Sequence, residues 1–299
     1  MLLLPKFDYL EPENMRSALE LMASLKSNAK IIAGGTDIIV NMKKGIISPK
    51  HLVSLVKVKE LFGLEQRKKG IVIGSHVIVS ELAESNLLWK NYSLIAKAAS
   101  VLGSPLVRNR ATIGGNIVTA RPAADLPPAL MAVGAKVELK SKKGRREVAL
   151  DEFFLGPGKT VIRPDEILTK IILNELPPFS GGDYIKLGHR KALEIAIVAV
   201  ASRVTLDKPQ GIIKNVRIML SAVAPQVIHA VSAEKILMNE KPTDKLIERA
   251  ATLAMQDCRP ISDIRGGAEY RKEIVKVLTK RTLANAVKEV NRKKVKSER

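Results

Sequence analysis

The stretch Arg110-Ala111-Thr112-Ile113-Gly114-Gly115-Asn116-Ile117-Val118-Thr119-Ala120-Arg121-Pro122-Ala123-Ala124-Asp125-Leu126 is the part of the chain around which the rest is organised. Two adjacent glycines lie between Thr112 and Asn116, whose side chains can hydrogen-bond. Without Cβ, a glycine backbone can take φ > 0 and come into van der Waals contact with a ligand. Successive N–H groups in such a turn make a concavity suited to phosphate oxygens. Upstream, Ile31-Ile32-Ala33-Gly34-Gly35-Thr36-Asp37 repeats the arrangement. Two Gly-Gly turns, each entered from an apolar run and left through polar side chains, predict two loops converging on one phosphorylated cofactor. The competing reading is a pair of ordinary glycine turns between strands and helices.

Outward from these turns the pattern alternates helix and strand. Pro12 and Glu13 open a helix in which Met15, Ala18, Leu19, Met22 and Leu25 recur at three- and four-residue spacing. Residues 30–33 read as a buried strand, and 37–44 as a helical turn that Gly45 closes. Strands are expected at 52–55 and 70–74, and one amphipathic helix at 87–102, stopped by Gly103 and Pro105. A helix at 123–133 follows, with Pro127 and Pro128 early in it. A hairpin at 135–140 and 145–150 turns on Lys143-Gly144, and residues 166–173 form another strand. The linker signal at 176–182 then precedes three strands (184–187, 196–206, 212–223) and three helices (231–238, 245–257, 269–290). A boundary is therefore expected near Phe179.

Composition excludes several functions. The single cysteine, Cys258, cannot form an internal disulfide and cannot hold an iron–sulfur cluster or a cysteine-rich zinc site. A reducing cytoplasm suits it. The apolar N-terminal run is too short for a signal-peptide core, and the run 195–201 is far below the ~20 residues of a membrane span. The net charge of +20 raises the question of nucleic acid. However, the basic residues are dispersed and aromatics make up only 3% of the chain, so base-stacking platforms are scarce. A solvated basic surface or an acidic protein partner is the better expectation. Gly158-Lys159-Thr160 ends like a Walker A loop, but position 153, which must then be glycine, is Phe. Neither Gly-Gly turn contains the Rossmann Gly-x-Gly-x-x-Gly pattern. His51, His76, His189 and His229 show no metal-ligand spacing, and no metal site or catalytic residue is assigned.

The motifs 33–37 and 112–116, with Pro122-Ala123-Ala124-Asp125-Leu126, resemble those of the FAD-binding medium subunit of the molybdenum hydroxylases, the flavoproteins of carbon monoxide, xanthine and aldehyde-oxidising enzymes. Phe153-Phe154-Leu155-Gly156-Pro157, 164–168, Tyr184-Ile185-Lys186 with Arg190, and Ser262-Asp263-Ile264-Arg265-Gly266 with Tyr270-Arg271 extend the resemblance over nearly the whole chain. It implies an α+β fold: a p-cresol methylhydroxylase-type FAD-binding unit at 1–178, with subdomains at about 1–57 and 58–178. A C-terminal domain of small antiparallel sheet plus helix bundle at 179–291 and a basic tail at 292–299 would follow.

By resemblance, Ile32, Ala33, Gly34, Gly35, Thr36 and Asp37 wrap the FAD pyrophosphate, and Thr112, Ile113, Gly114, Gly115 and Asn116 complete the cradle. Asp125 bonds an FAD hydroxyl, Leu168 packs on the cofactor and Lys186 offers a cation near its polar edge. Asp125 would equally suit a helix cap, Leu168 the core and Lys186 the surface. Arg121 departs from the small residue many relatives carry; it would either bind phosphate or narrow the adenine side. The implied partners are an iron–sulfur small subunit and a molybdopterin large subunit, with no nucleic acid and no membrane span. FAD would pass electrons from the iron–sulfur subunit to an external acceptor. The alternative is a free-standing FAD oxidase or reductase of the same fold.

Overall fold

The computed structural model describes residues 3–190 and 193–297, with side chains described as far as Arg292. The first unit is a three-stranded parallel sheet, order β1-β3-β2, made of β1 (Asp8–Leu10), β2 (Ala29–Ile32) and β3 (His51–Ser54). Helix α1 (Met15–Leu25) starts at an Asn14–Ser17 capping box, which satisfies two backbone donors that a helix start leaves orphaned. Its apolar stripe, Met15, Ala18, Leu19 and Met22, is buried as the spacing predicts. A short helix, α2 (Ile38–Lys43), follows the first glycine pair.

The second unit is a five-stranded antiparallel sheet, order β4-β5-β10-β6-β7. Its strands are β4 (Leu64–Arg67), β5 (Gly70–Gly74), β6 (Lys136–Ser141), β7 (Gly144–Ala149) and β10 (Ile167–Asn174), with a small hairpin of β8 (Phe154–Gly156) and β9 (Lys159–Thr160) beside it. Helices α3 (Val79–Glu84), α4 (Asn86–Asn91), α5 (Ser93–Ser100), α6 (Pro105–Arg108), α7 (Ile113–Val118) and α8 (Leu126–Ala132) belong to it. The single helix expected over 87–102 is two: the chain breaks at Tyr92, whose hydroxyl donates to the Asn174 carbonyl at 2.7 Å. Pro127 and Pro128 occupy the first turn of α8, where a missing N–H costs nothing.

The third unit is a four-stranded antiparallel sheet, β11 (Ser180–Leu187), β12 (Val198–Leu206), β13 (Ile213–Ser221) and β14 (Ile228–His229), covered by α9 (Val231–Leu237), α10 (Asp244–Asp257) and α11 (Ala268–Ser297). All nine residues of β12 are buried. The two-residue strand period explains this: Val198, Val200 and Val204 pack under the C-terminal helices, whereas Ala199 and Ala201 join the core of the second unit. Strand β11 begins at Ser180, earlier than Tyr184, because α11 crosses it closely; a Cβ on Gly181 would lie 2.4 Å from the Ala286 carbonyl. Helix α11 continues to Ser297, past the Val290 end read from the apolar periodicity and into the expected basic tail, because lysine and arginine are good helix formers without an apolar stripe. Glu298 and Arg299 lie outside the described residues. Asp183 ties the layers together, accepting from Lys97 of α5 (2.5 Å) and Asn285 of α11 (2.7 Å). No helix among the described residues is long and apolar enough to cross a membrane.

Candidate cofactor site

Between the first and second units lies a cleft of about 700 Å³, well within the range of ligand sites of about 300–1,000 Å³. Both glycine pairs line it. The first follows β2 and precedes α2; Gly35 has φ +76°, a left-handed turn that glycine adopts without a Cβ penalty. Gly34 has a different requirement. A Cβ there would fall 1.7 Å from the carbonyl oxygen of Arg110, so the two glycine-bearing segments touch backbone to backbone.

The two stretches contribute unequally. Among the described residues, the backbone N–H groups of Gly34, Gly35, Thr36 and Asp37 meet no protein acceptor. Four successive free donors beside a cleft suit an anion. In the second stretch four of the five N–H groups are already used: Ile113 donates to Val77 O (3.0 Å), Gly114 to Ser75 O (2.9 Å), Gly115 to Thr112 Oγ1 (3.1 Å) and Asn116 to Thr112 O (3.0 Å). These residues form the first turn of α7 with Thr112 as N-cap, and neither glycine has positive φ. The second stretch therefore meets the cleft as the start of a helix, not as a turn of successive free donors. Gly114 is small because Ser75 packs against it; a Cβ would meet its carbonyl oxygen at 2.7 Å. Gly115 is small on the cleft side, where a Cβ would meet only Thr112 Oγ1, at 3.0 Å, and otherwise enter open space.

Of the expected contacts, Ala33, Gly34, Gly35, Thr36, Asp37, Thr112, Gly114, Gly115, Asn116 and Leu168 line the cleft, and Ile32, Ile113, Asp125 and Lys186 do not. Ile32 closes β2, its carbonyl accepting from Leu55. Ile113 is fully buried in the core, since the helical turn directs it inward. Asp125 is not a side-chain cap for α8; Asn116 Oδ1 instead accepts the Leu126 N–H at 3.3 Å. Its carboxylate is buried, accepting from Tyr184 (3.0 Å) and from Lys186, whose Nζ lies 2.9 and 3.0 Å from the two oxygens. Burial pushes the Asp125 pKa up, and Lys186 and Tyr184 oppose that shift. Burial, with the Asp125 charge, also holds Tyr184 well above the usual phenol range, so the hydroxyl stays a donor. Lys186 also donates to Val101 O at 3.2 Å, next to Leu102 at the cleft wall.

Sequence reasoning missed the lining residues Asn41, Ser75, His76, Val107 and Glu166. None of the first four carried a motif signal. Glu166 lay within the 164–168 motif but was read as strand. Hydrogen bonds from Arg146 (2.7 and 2.9 Å) hold its carboxylate below the ordinary glutamate range, and the Arg163 N–H donates to it at 2.8 Å. His76 is pushed down by burial and packs on Phe62 with ring centroids 4.7 Å apart, giving the cleft a neutral imidazole. The described residues contain no cluster of histidine, cysteine or carboxylate side chains able to hold a metal.

A cleft lined by free backbone donors and by an adjoining glycine pair is the architecture of a phosphate-linked cofactor site, and the chain matches a family with that purpose. Residues 5–175 match the FAD binding domain in molybdopterin dehydrogenase, and residues 183–286 the CO dehydrogenase flavoprotein C-terminal domain. The chain belongs to the FAD-binding medium subunits of the molybdenum hydroxylases; its cofactor is FAD, and its fold is the p-cresol methylhydroxylase-type FAD unit followed by this C-terminal domain.

Among its relatives is the carbon monoxide dehydrogenase medium chain of Hydrogenophaga pseudoflava, 32% identical over 93% of this chain and 96% of that one. The 6-hydroxypseudooxynicotine dehydrogenase complex subunit alpha of Paenarthrobacter nicotinovorans is also 32% identical, over 95% of each. The structure superposes on carbon monoxide dehydrogenase from H. pseudoflava with a TM-score of 0.91 over 95% of this chain and 98% of that one, at 32% identity. It superposes on quinoline 2-oxidoreductase from Pseudomonas putida 86 with a TM-score of 0.90 over 97% and 99%, at 25% identity.

Proposed function

We propose that this chain is the flavin-bearing electron-transfer subunit of a cytoplasmic molybdenum hydroxylase. It would work beside an iron–sulfur small subunit and a molybdopterin large subunit and deliver electrons to an external acceptor. The observation that carries the reading is the four unpartnered N–H groups of 34–37, lining with Gly114 and Gly115 a cleft of about 700 Å³, within a chain that aligns over 93% of its length with a medium chain. FAD, when bound, supplies the redox chemistry and can take electrons singly and release them as a pair. The protein supplies binding, orientation and exclusion of water. Residues 34–37 donate to the diphosphate, Thr36 adds a hydroxyl, and Gly115 and Leu168, which also line the cleft, leave room for the cofactor and pack on it. The buried Asp125–Lys186 pair lies outside the cleft lining and reaches it only through the Lys186 bond to Val101 O, the neighbour of the lining residue Leu102. In this reading the FAD-binding part runs over 1–178, with subdomains at about 1–57 and 58–178, and the C-terminal part over 179–291. The single cysteine fits a reducing compartment and leaves the iron–sulfur relay to another chain.

The test is co-expression with the partner chains. The purified complex is expected to show a flavin band near ~450 nm and to release FAD on denaturation. The isolated chain is expected to bind FAD without turning over substrate. A colourless complex refutes the cofactor reading; partner-independent turnover favours a free-standing flavoenzyme.

A further inference from the structure

Arg121 lines the cleft but has no part in the account above. The backbone on both sides of it is pinned. Ala120 is buried with φ +47°, a left-handed conformation disfavoured for a residue with Cβ, and its carbonyl accepts from Gly158 N–H at 3.0 Å. The Pro122 carbonyl accepts from Ala222 N–H (2.9 Å) and Ser221 Oγ (3.0 Å) of the C-terminal sheet. Strained backbone held from outside is characteristic of residues that must be aimed. From this mount the guanidinium reaches across the cleft and donates through Nη2 to Asn41 Oδ1 at 3.1 Å. Asn41 is on α2, four residues beyond Asp37, so it stands about 6 Å along the helix from the Asp37 N–H. Apart from this bond, no protein acceptor is found for the guanidinium among the described residues.

We infer that Arg121 is a strap over the bound cofactor: it spans from the second unit to α2 and uses its remaining donors to pair with the diphosphate. The inference rests on the reading of the cleft as the FAD site and concerns how the ligand is retained. The N–H groups of 34–37 supply hydrogen bonds but no formal charge. A guanidinium on the same rim supplies the charge and a planar fork matched to phosphate oxygens. Of the two roles the sequence allows Arg121, phosphate binding is the one this position fits.

The experiment measures FAD release from the reconstituted chain by the recovery of flavin fluorescence, across a series of salt concentrations, for wild type, Arg121→Ser and Arg121→Lys. A charge-assisted bond of the usual strength predicts release about 10- to 100-fold faster in Arg121→Ser. Its rate should also depend less steeply on salt, because one screened attraction is gone. Arg121→Lys should restore the salt dependence but not all of the retention, since lysine keeps the charge and loses the fork. The melting temperature of the cofactor-free protein should move by no more than about 2 °C, because the residue is exposed and holds one side-chain bond. Release from Arg121→Ser at the wild-type rate with an unchanged salt slope overturns the strap and leaves the FAD site standing. Failure of the wild-type chain to bind FAD overturns both.

Discussion

Replacing Gly34 by alanine tests whether the contact between the two glycine segments sets the cleft. The added Cβ would start 1.7 Å from the Arg110 carbonyl oxygen, 2.5 Å from its carbon and 3.1 Å from Ala111 Cα, all backbone atoms. No side chain can rotate out of the way. To reach even 3.0 Å from that oxygen the segments must part by 1.3 Å. Forced overpacking of this kind costs about 1–3 kcal/mol of folding stability. The larger effect falls on the cofactor. If the shift takes two of the four N–H donors out of hydrogen-bonding range, at about 1.5–3 kcal/mol per bond to a charged group, affinity falls by about 3–6 kcal/mol, or roughly 10²- to 10⁴-fold. Gly115→Ala is the matched control: its Cβ meets only Thr112 Oγ1, at 3.0 Å, so stability should stay within about 1 kcal/mol while FAD is still displaced. The assays are the flavin-to-protein absorbance ratio after gel filtration and urea unfolding of the cofactor-free proteins. Gly34→Ala retaining stoichiometric FAD at wild-type stability would refute the argument that this backbone contact builds the site.

Two further outcomes follow from buried charge. Lys186→Met leaves Asp125 buried without its cation, and breaking one side of such a pair costs about 3–5 kcal/mol; urea unfolding should show it, and the double variant with Asp125→Asn should recover most of the loss. His229, facing Asp151 (3.6 Å), Glu234 (3.0 Å) and Arg217 (3.3 Å), has its pKa pushed up to about 9 by the two carboxylates, Asp151 foremost. Its folded pKa lies above the unfolded value near 6.5, so its contribution, of order 1–3 kcal/mol, is complete below that pH and is lost as pH rises through about 9. Unfolding free energy measured from pH 6 to 10 should fall over that window in wild type and more shallowly in His229→Gln; parallel curves would rule the pairing out.

What could be read from the sequence divides by the range of the interactions involved. Local signals held: the α1 stripe, the hairpin on Lys143-Gly144 and the order of strands and helices after 180 depend on periodicity and turn chemistry within a few residues. The glycine pairs were legible as close-approach sites. That the second pair is helical was not, because two glycines in sequence argue against helix; the packing of Ser75 explains Gly114, and the cleft beside it Gly115. Asp125 reads as a cap by position, yet its partners Tyr184 and Lys186 lie 59 and 61 residues away. Asn41 and Arg121, 80 residues apart, meet only in three dimensions. Tyr92 breaks a helix that its apolar pattern would continue, through a tertiary bond to Asn174.

The alternation along β12 has a consequence for how this polypeptide is made and shuffled. Ala199 and Ala201 face the same apolar cluster as α5 and α8, and Tyr184 and Met219 join them from the neighbouring strands. A nascent chain that has emerged only as far as the linker therefore lacks one side of its own interior. The apolar interior of the FAD-binding half is thus complete only with the sheet behind it in place, and swapping that sheet for a homologue's would require matching the seam residue by residue.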